Sequence, residues 1–268
     1  MKFFFTCAVL TALVLTPTLV AAASETFEWS GGAGARALEV GHVVGKVNVT
    51  VGGDEVVVRA TKAAADAGFL AALKITVEEK DDAVVVGVEY PEDVAGGTNA
   101  TVDFDISVPE GLARVEVRTA AGEVTIAGVA EAAVDAASGA VGISGAYKEV
   151  DVTVASGDIV VDNAGAPTES VSVNNVSGKL TLRLELPAAG AHYEISNVSG
   201  PVDLALAGGT DNYDIAVKAV TGAVSSTFPL KKSGGPVGRS YSGRAGAATN
   251  KITISTVSGS VAISAAAK

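Results

Sequence analysis

Aliphatic side chains recur at alternate positions around a fixed glycine in eight twelve-residue segments of this chain: residues 38–49, 115–126, 132–143, 150–161, 171–182, 193–204, 215–226 and 252–263. Five residues before the glycine stands Val or Ile in every copy: Val40, Val117, Val134, Val152, Val173, Ile195, Val217 and Ile254. Two residues after it stands Val, Ile or Leu: Val47, Val124, Val141, Ile159, Leu180, Val202, Val224 and Val261. The positions between are mixed and often polar. Alternation with period two and enrichment in β-branched residues predict two short strands per segment, each burying one face. The glycine marks the bend between them, and a small hydroxyl residue usually precedes it (Ser138, Ser156, Ser177, Ser199, Thr221, Ser258).

From Gly122 onward the bend glycines are 17, 18, 21, 22, 22 and 37 residues apart, the last interval reading as one coil plus an insertion. Units of this length are too short for propeller blades and predict an all-β solenoid, or β-helix, of coils of about 20 residues. A β-sandwich is the alternative that short strands alone would allow. At about 4.8 Å per stacked strand, eight coils make a rod of roughly 35–40 Å. The pattern also predicts that Val117, Val152, Val173, Ile195 and Val217 form one buried column beside the aligned glycines. Composition agrees: 48% of residues are hydrophobic but only 5% aromatic, which suits a narrow coil interior.

Between residues 52 and 108 the repeat lapses. Longer strands are predicted over 56–60, 73–79, 83–90 and 102–108, with a charged hairpin turn at Glu78-Glu79-Lys80-Asp81-Asp82. The Ala-rich stretch 62–73 reads equally as a short helix or a loop. Pro109-Glu110-Gly111 hands over to the regular coils. Residues 24–110 thus read as an elaborated N-terminal β portion that caps the rod, and 111–268 as the coils, all within one domain.

Residues 1–23 have Lys2, an apolar run and Ala21-Ala22-Ala23, the layout of a signal peptide cleaved before Ser24. An uncleaved anchor is the alternative. No later apolar run is long enough to span a bilayer. The expected destination is periplasmic, cell-surface or secreted. The only cysteine, Cys7, lies in the leader, so the mature chain forms no disulfide. Loss of Lys2 leaves 18 basic residues against 30 acidic ones. Such an acidic chain is not expected to bind nucleic acid or anionic membrane surfaces.

Several of these features together resemble the bacterial putative-adhesin family of β-strand repeat proteins, a domain of unknown function often found behind a signal peptide. They are the leader, Gly45-Lys46-Val47-Asn48-Val49, the strand ending Ile106-Ser107-Val108-Pro109, the serial Ser-Gly-x-Val-x-Ile bends and the closing segment 252–263. The resemblance covers roughly residues 36–264. It implies a fold and an envelope setting, and brings no catalytic residues with it.

Motifs for chemistry are scarce. His42 falls in a bend and His192 just before a strand; both read as structural or surface residues. No nucleophile elbow, zincin motif or Walker loop occurs, and no cofactor is implied. The outward acidic columns are interrupted by Ala and Ser, so adjacent coils do not build the paired carboxylates of a glycosidase. Asp151, Asp158 and Asp162 fall near one bend and are the one weak calcium-site candidate, set against a solvated acidic face. Aromatic residues form no ladder, and Tyr193 falls in a core column.

The segment 228–250 stands apart as a Gly-rich insertion. It carries Lys231, Lys232, Arg239 and Arg244 with no acid, and Tyr241 among them. It reads as a solvated loop or as a contact loop for an anionic envelope polymer or a surface protein. Asn48, Asn99, Asn175 and Asn197 begin N-x-Ser/Thr sequons; the last two share a repeat column and read as bend-forming residues. The function expected from the sequence is adhesion or scaffolding in the cell envelope, without catalysis. The alternative is a carbohydrate-active β-helix, either lyase or hydrolase.

Overall fold

The computed structural model describes residues 23–91, 100–145, 148–208, 211–235 and 238–266; residues 1–22 of the expected leader, Asn99 and Tyr147 lie outside them. The fold is all-β, with one short helix. The N-terminal elements are β1 (Ala23–Gly31), β2 (Ala37–Val51), β3 (Val56–Ala64), α1 (Ala67–Ala72), β4 (Lys74–Lys80), β5 (Ala83–Glu89) and β6 (Thr101–Val108). The long β2 contains both halves of the first coil, as does β7 (Arg114–Ala127) of the second. Each later coil is a strand pair. In chain order these are β8 (Glu131–Ser138) with β9 (Val141–Ser144), β10 (Glu149–Ser156) with β11 (Ile159–Pro167), and β12 (Ser170–Ser177) with β13 (Leu180–Glu185). Next come β14 (His192–Ser199) with β15 (Val202–Ala207), and β16 (Tyr213–Thr221) with β17 (Val224–Ser226). A hairpin of β18 (Lys231–Gly234) and β19 (Arg239–Ala245) precedes the final pair, β20 (Asn250–Ser258) and β21 (Val261–Ala265).

Successive coils pair in parallel, in register with the repeat. Val117, Val134, Val152, Val173 and Ile195 lie opposite one another in turn, and all are buried. Val124, Val141, Ile159, Leu180, Val202 and Val261 form the second column. The bend glycines stack directly. A Cβ placed on Gly122, Gly139, Gly157, Gly178 or Gly200 would fall on the carbonyl oxygen of the preceding bend glycine. The glycine column therefore serves close backbone approach between coils as well as the bend itself.

Stacking order departs from chain order at the C-terminal end. The final pair β20–β21 sits between β14–β15 and β16–β17: Ile195 faces Ile254, which faces Val217. The last interval is therefore more than one coil with an insertion. Nor is the 228–250 segment a loose loop. Along β19 it pairs antiparallel with β16 over residues 239–245, and β18 folds back on β19. The physical gain is at the edges. The last regular coil has a neighbour on each side, and β16, which would otherwise end the rod, is covered.

The opposite end is closed in the same spirit. The first half of β2 is covered by β5, on which β4 pairs antiparallel. Its second half is covered by β6, then β3, then β1. Of the stretch 62–73, only 67–72 is helical. Asp66 caps it by accepting from the Phe69 amide at 2.6 Å, and Phe69 and Leu70 are buried. Lys62 lies in β3 and ties this cap together, with Nζ 2.9 Å from the Leu73 carbonyl and 2.8 Å from Glu25. Tyr193 is fully buried, and its hydroxyl donates to the Thr168 carbonyl at 2.7 Å; burial pushes the phenol pKa well up.

Candidate functional site

The order of strands at the C-terminal end gathers side chains that are far apart in sequence. Across β20, β16 and β19, Lys251, Asp214 and Arg244 stand in one row. Two residues along, Thr253, Ala216, Ser242 and Lys231 form the next row, which ends on β18. These rows, with Pro229 and Gly243, line a depression of about 660 Å³. The small Ala216 within the second row leaves room between the longer side chains. Glycine is required at 243 because a Cβ there would meet the Pro229 carbonyl.

Arg244 lies 2.8 Å from Asp214. That hydrogen bond, and then the aspartate charge, hold the guanidinium pKa above its ordinary value. Among the described residues, neither Lys231 nor Lys251 has a carboxylate partner within ion-pair distance. The depression thus carries three cations against one acid, on a chain of net charge −11.

The five residues singled out in the sequence do not form one cluster. Lys231 and Arg244 meet in the depression. Lys232 and Tyr241 lie opposite each other in the next register position, in line with the buried Val217. Tyr241 is half-buried and packs against the end of the hydrophobic core, while Lys232 is exposed. Arg239 donates to the Gly222 carbonyl at 3.3 Å and lines a different hollow. Lys251, with the hydroxyl residues Ser242 and Thr253, was missed in the sequence. Its repeat position looks like any other outward one, and only the intercalation of β20 brings it to the hairpin.

That second hollow is a groove running along the rod, just before the glycine bends. It consists of two contiguous parts, of about 420 and 610 Å³, which share Ser196 and Val198. Its apolar ridge is the column two residues before each glycine. In stacking order this runs Ala120, Ala137, Ala155, Val176, Val198, Val257, Val220, and the four valines are 41–54% exposed. Beneath the ridge, Asn175 and Asn197 are buried at 3% and 2% exposure. Their amide groups donate to the Gly157 and Gly178 carbonyls at 3.2 and 3.1 Å. Both sequon asparagines are therefore bend-forming residues inside the wall.

The remaining acids are dispersed or engaged. Asp151 stands between Ala133 and Ser172. Asp158 accepts from the Lys179 amide at 2.8 Å, and Asp162 lies 3.4 Å from Arg183. Asp203 lies 2.9 Å from Lys179. Among the described residues, no three His, Cys, Asp or Glu side chains gather as metal ligands do. His192 lies in register between Ser170 and Lys251; the His42 side chain is outside the described residues. No described helix is long and apolar enough to cross a membrane.

Parallel coils on a glycine ladder, closed at each end by antiparallel strands, define a capped β-solenoid. The chain belongs to the Toastrack DUF4097 family, which matches over residues 43–264. Among solved structures it is similar to a putative cell adhesion protein from Clostridium sporogenes, with 14% identity and a TM-score of 0.40 over 92% of this chain and 100% of that one. It is also similar to a putative adhesin from Bacteroides fragilis, with 12% identity and a TM-score of 0.41 over 89% and 97%. A putative adhesin from Parabacteroides distasonis gives 11% identity and a TM-score of 0.39 over 92% and 98%. No match is found among functionally curated proteins.

Proposed function

We propose that this is an adhesin-like, non-catalytic binding protein of the cell envelope, exported by residues 1–23 and acting as a single domain over 24–268. Its hairpin end contacts an anionic envelope polymer or an anionic surface protein. The observation that carries this reading is the basic depression: Lys231, Lys251 and Arg244 beside the hydroxyls of Ser242 and Thr253, at one end of an acidic rod. Asp214 holds the guanidinium in place, and two ammonium groups are left for a ligand. Lys232 and Arg239 extend the positive field around the hairpin, while Tyr241 secures it to the core.

The test compares the mature protein with Lys231→Ser/Lys251→Ser in binding to isolated cell envelopes. Exposed charges are screened beyond about 8 Å at physiological ionic strength, so parent binding should weaken as salt rises. The double variant should bind at least roughly tenfold more weakly at low salt, with a flatter salt dependence. Equal binding by the two proteins, with the same salt dependence, contradicts the proposal.

A further inference from the structure

We infer that the valine-ridged groove binds a linear, uncharged polysaccharide chain laid along the coil axis, a second binding function separate from the basic depression. The shape calls for something long and thin. Val176, Val198, Val257 and Val220 are consecutive in the stack and about half exposed, at about 4.8 Å per strand. Soluble proteins seldom leave such a row open without use.

The chemistry beside the ridge narrows the choice. On one side, two residues earlier, stand Thr153, Asn174, Ser196 and Ser255, aligned by the strand register. Ser156, Ser177, Ser199 and Ser258 follow the ridge at the bend, outside the lining of the groove. Hydroxyl and amide side chains both donate and accept. A sugar chain presents the complement: C–H patches to lie on valine methyls, and hydroxyls that donate and accept in turn.

Other occupants fit less well. From Thr153 to Val257 no charged side chain lines this part of the groove among the described residues; Arg118 and Asp135 stand at one end, Lys218 and Arg239 at the other. A polyanion would find no counter-charge over the four middle coils. An extended peptide would need free backbone groups. The carbonyls of Ser156, Ser177, Ser199 and Ser258 already accept from glycine amides of the neighbouring coil. An acyl chain would leave the polar row unused. A second copy needs about 800 Å² from each partner for a stable pair, far more than four half-exposed valines supply.

Among the described residues no aromatic side chain lines the groove, so each sugar contributes little and affinity must accumulate with chain length. The experiment titrates the mature protein with neutral oligosaccharides derived from cellulose, starch and mannan, as disaccharides and hexasaccharides, followed by NMR. At least one hexasaccharide should bind roughly tenfold or more tightly than its disaccharide. Val198→Asp/Val257→Asp should weaken that binding at least roughly tenfold, with the melting temperature retained because both sites are exposed. Ser196→Ala/Ser255→Ala, which leaves the ridge intact, should weaken it several-fold. Lys231→Ser/Lys251→Ser should leave it unchanged, so this inference and the anionic-polymer proposal fail independently. Three outcomes overturn the inference: no binding of any hexasaccharide by the parent, undiminished binding by V198D/V257D, or a parent dimer that V198D/V257D turns into monomer.

Discussion

Gly178 shows what one residue position costs in this fold. Its φ is 139°, and a Cβ there would fall on the Gly157 carbonyl, a backbone atom held by the ladder itself. Alanine must therefore either push two coils apart or bend the chain out of its turn. We expect Gly178→Ala to destabilise the protein by about 3 kcal/mol or more. For a domain of this size that lowers the melting temperature by roughly 6–12 °C, measured by calorimetry. Ser177→Ala, one residue away and exposed, should change stability by less than about 0.5 kcal/mol. The glycine's importance was legible in the sequence, because it recurs at a constant offset from the aliphatic columns. The partner that makes alanine intolerable was less so, since the contact is between backbones of different coils.

At the scale of elements, the aliphatic columns, the N-terminal strands from β2 onward and the core place of Tyr193 could be read from alternation, whereas β1 (Ala23–Gly31) was not. The hairpin β18–β19 could not. Its strands are built from Gly, Ser and charged residues, which carry little apolar signal, and its order comes from pairing with the exposed edge of β16. The same edge explains why Tyr241 is half-buried against the core and not offered to a ligand. Tyr241→Ala should therefore cost about 1–3 kcal/mol in denaturant unfolding, while leaving salt-dependent binding to envelopes unchanged. A loss of envelope binding with stability intact would make the ring a contact residue after all.

For the whole molecule, the feature hidden from sequence is the order of coils. Coil-to-coil packing is equally good between any two neighbours of a regular repeat, so the columns alone do not say which coil lies beside which. That order is decided by edge cover, with the hairpin on β16 and the final pair taken inside. Both proposed surfaces depend on it. Lys251 reaches Arg244 only because β20 lies next to β16, and Val257 bridges Val198 and Val220 for the same reason. Residues 24–268 contain no cysteine, which makes the order directly measurable. Ser196 faces Ser255, and Lys218 lies on the far side of Ser255. A disulfide needs a Cα separation of about 4.4–6.8 Å, which adjacent strands meet and next-but-one strands exceed. Oxidation of Ser196→Cys/Ser255→Cys should give a near-complete intramolecular crosslink by mass spectrometry, and Ser196→Cys/Lys218→Cys should give none. Ready crosslinking of the second pair, with failure of the first, would contradict the intercalated final coil and both surfaces built on it.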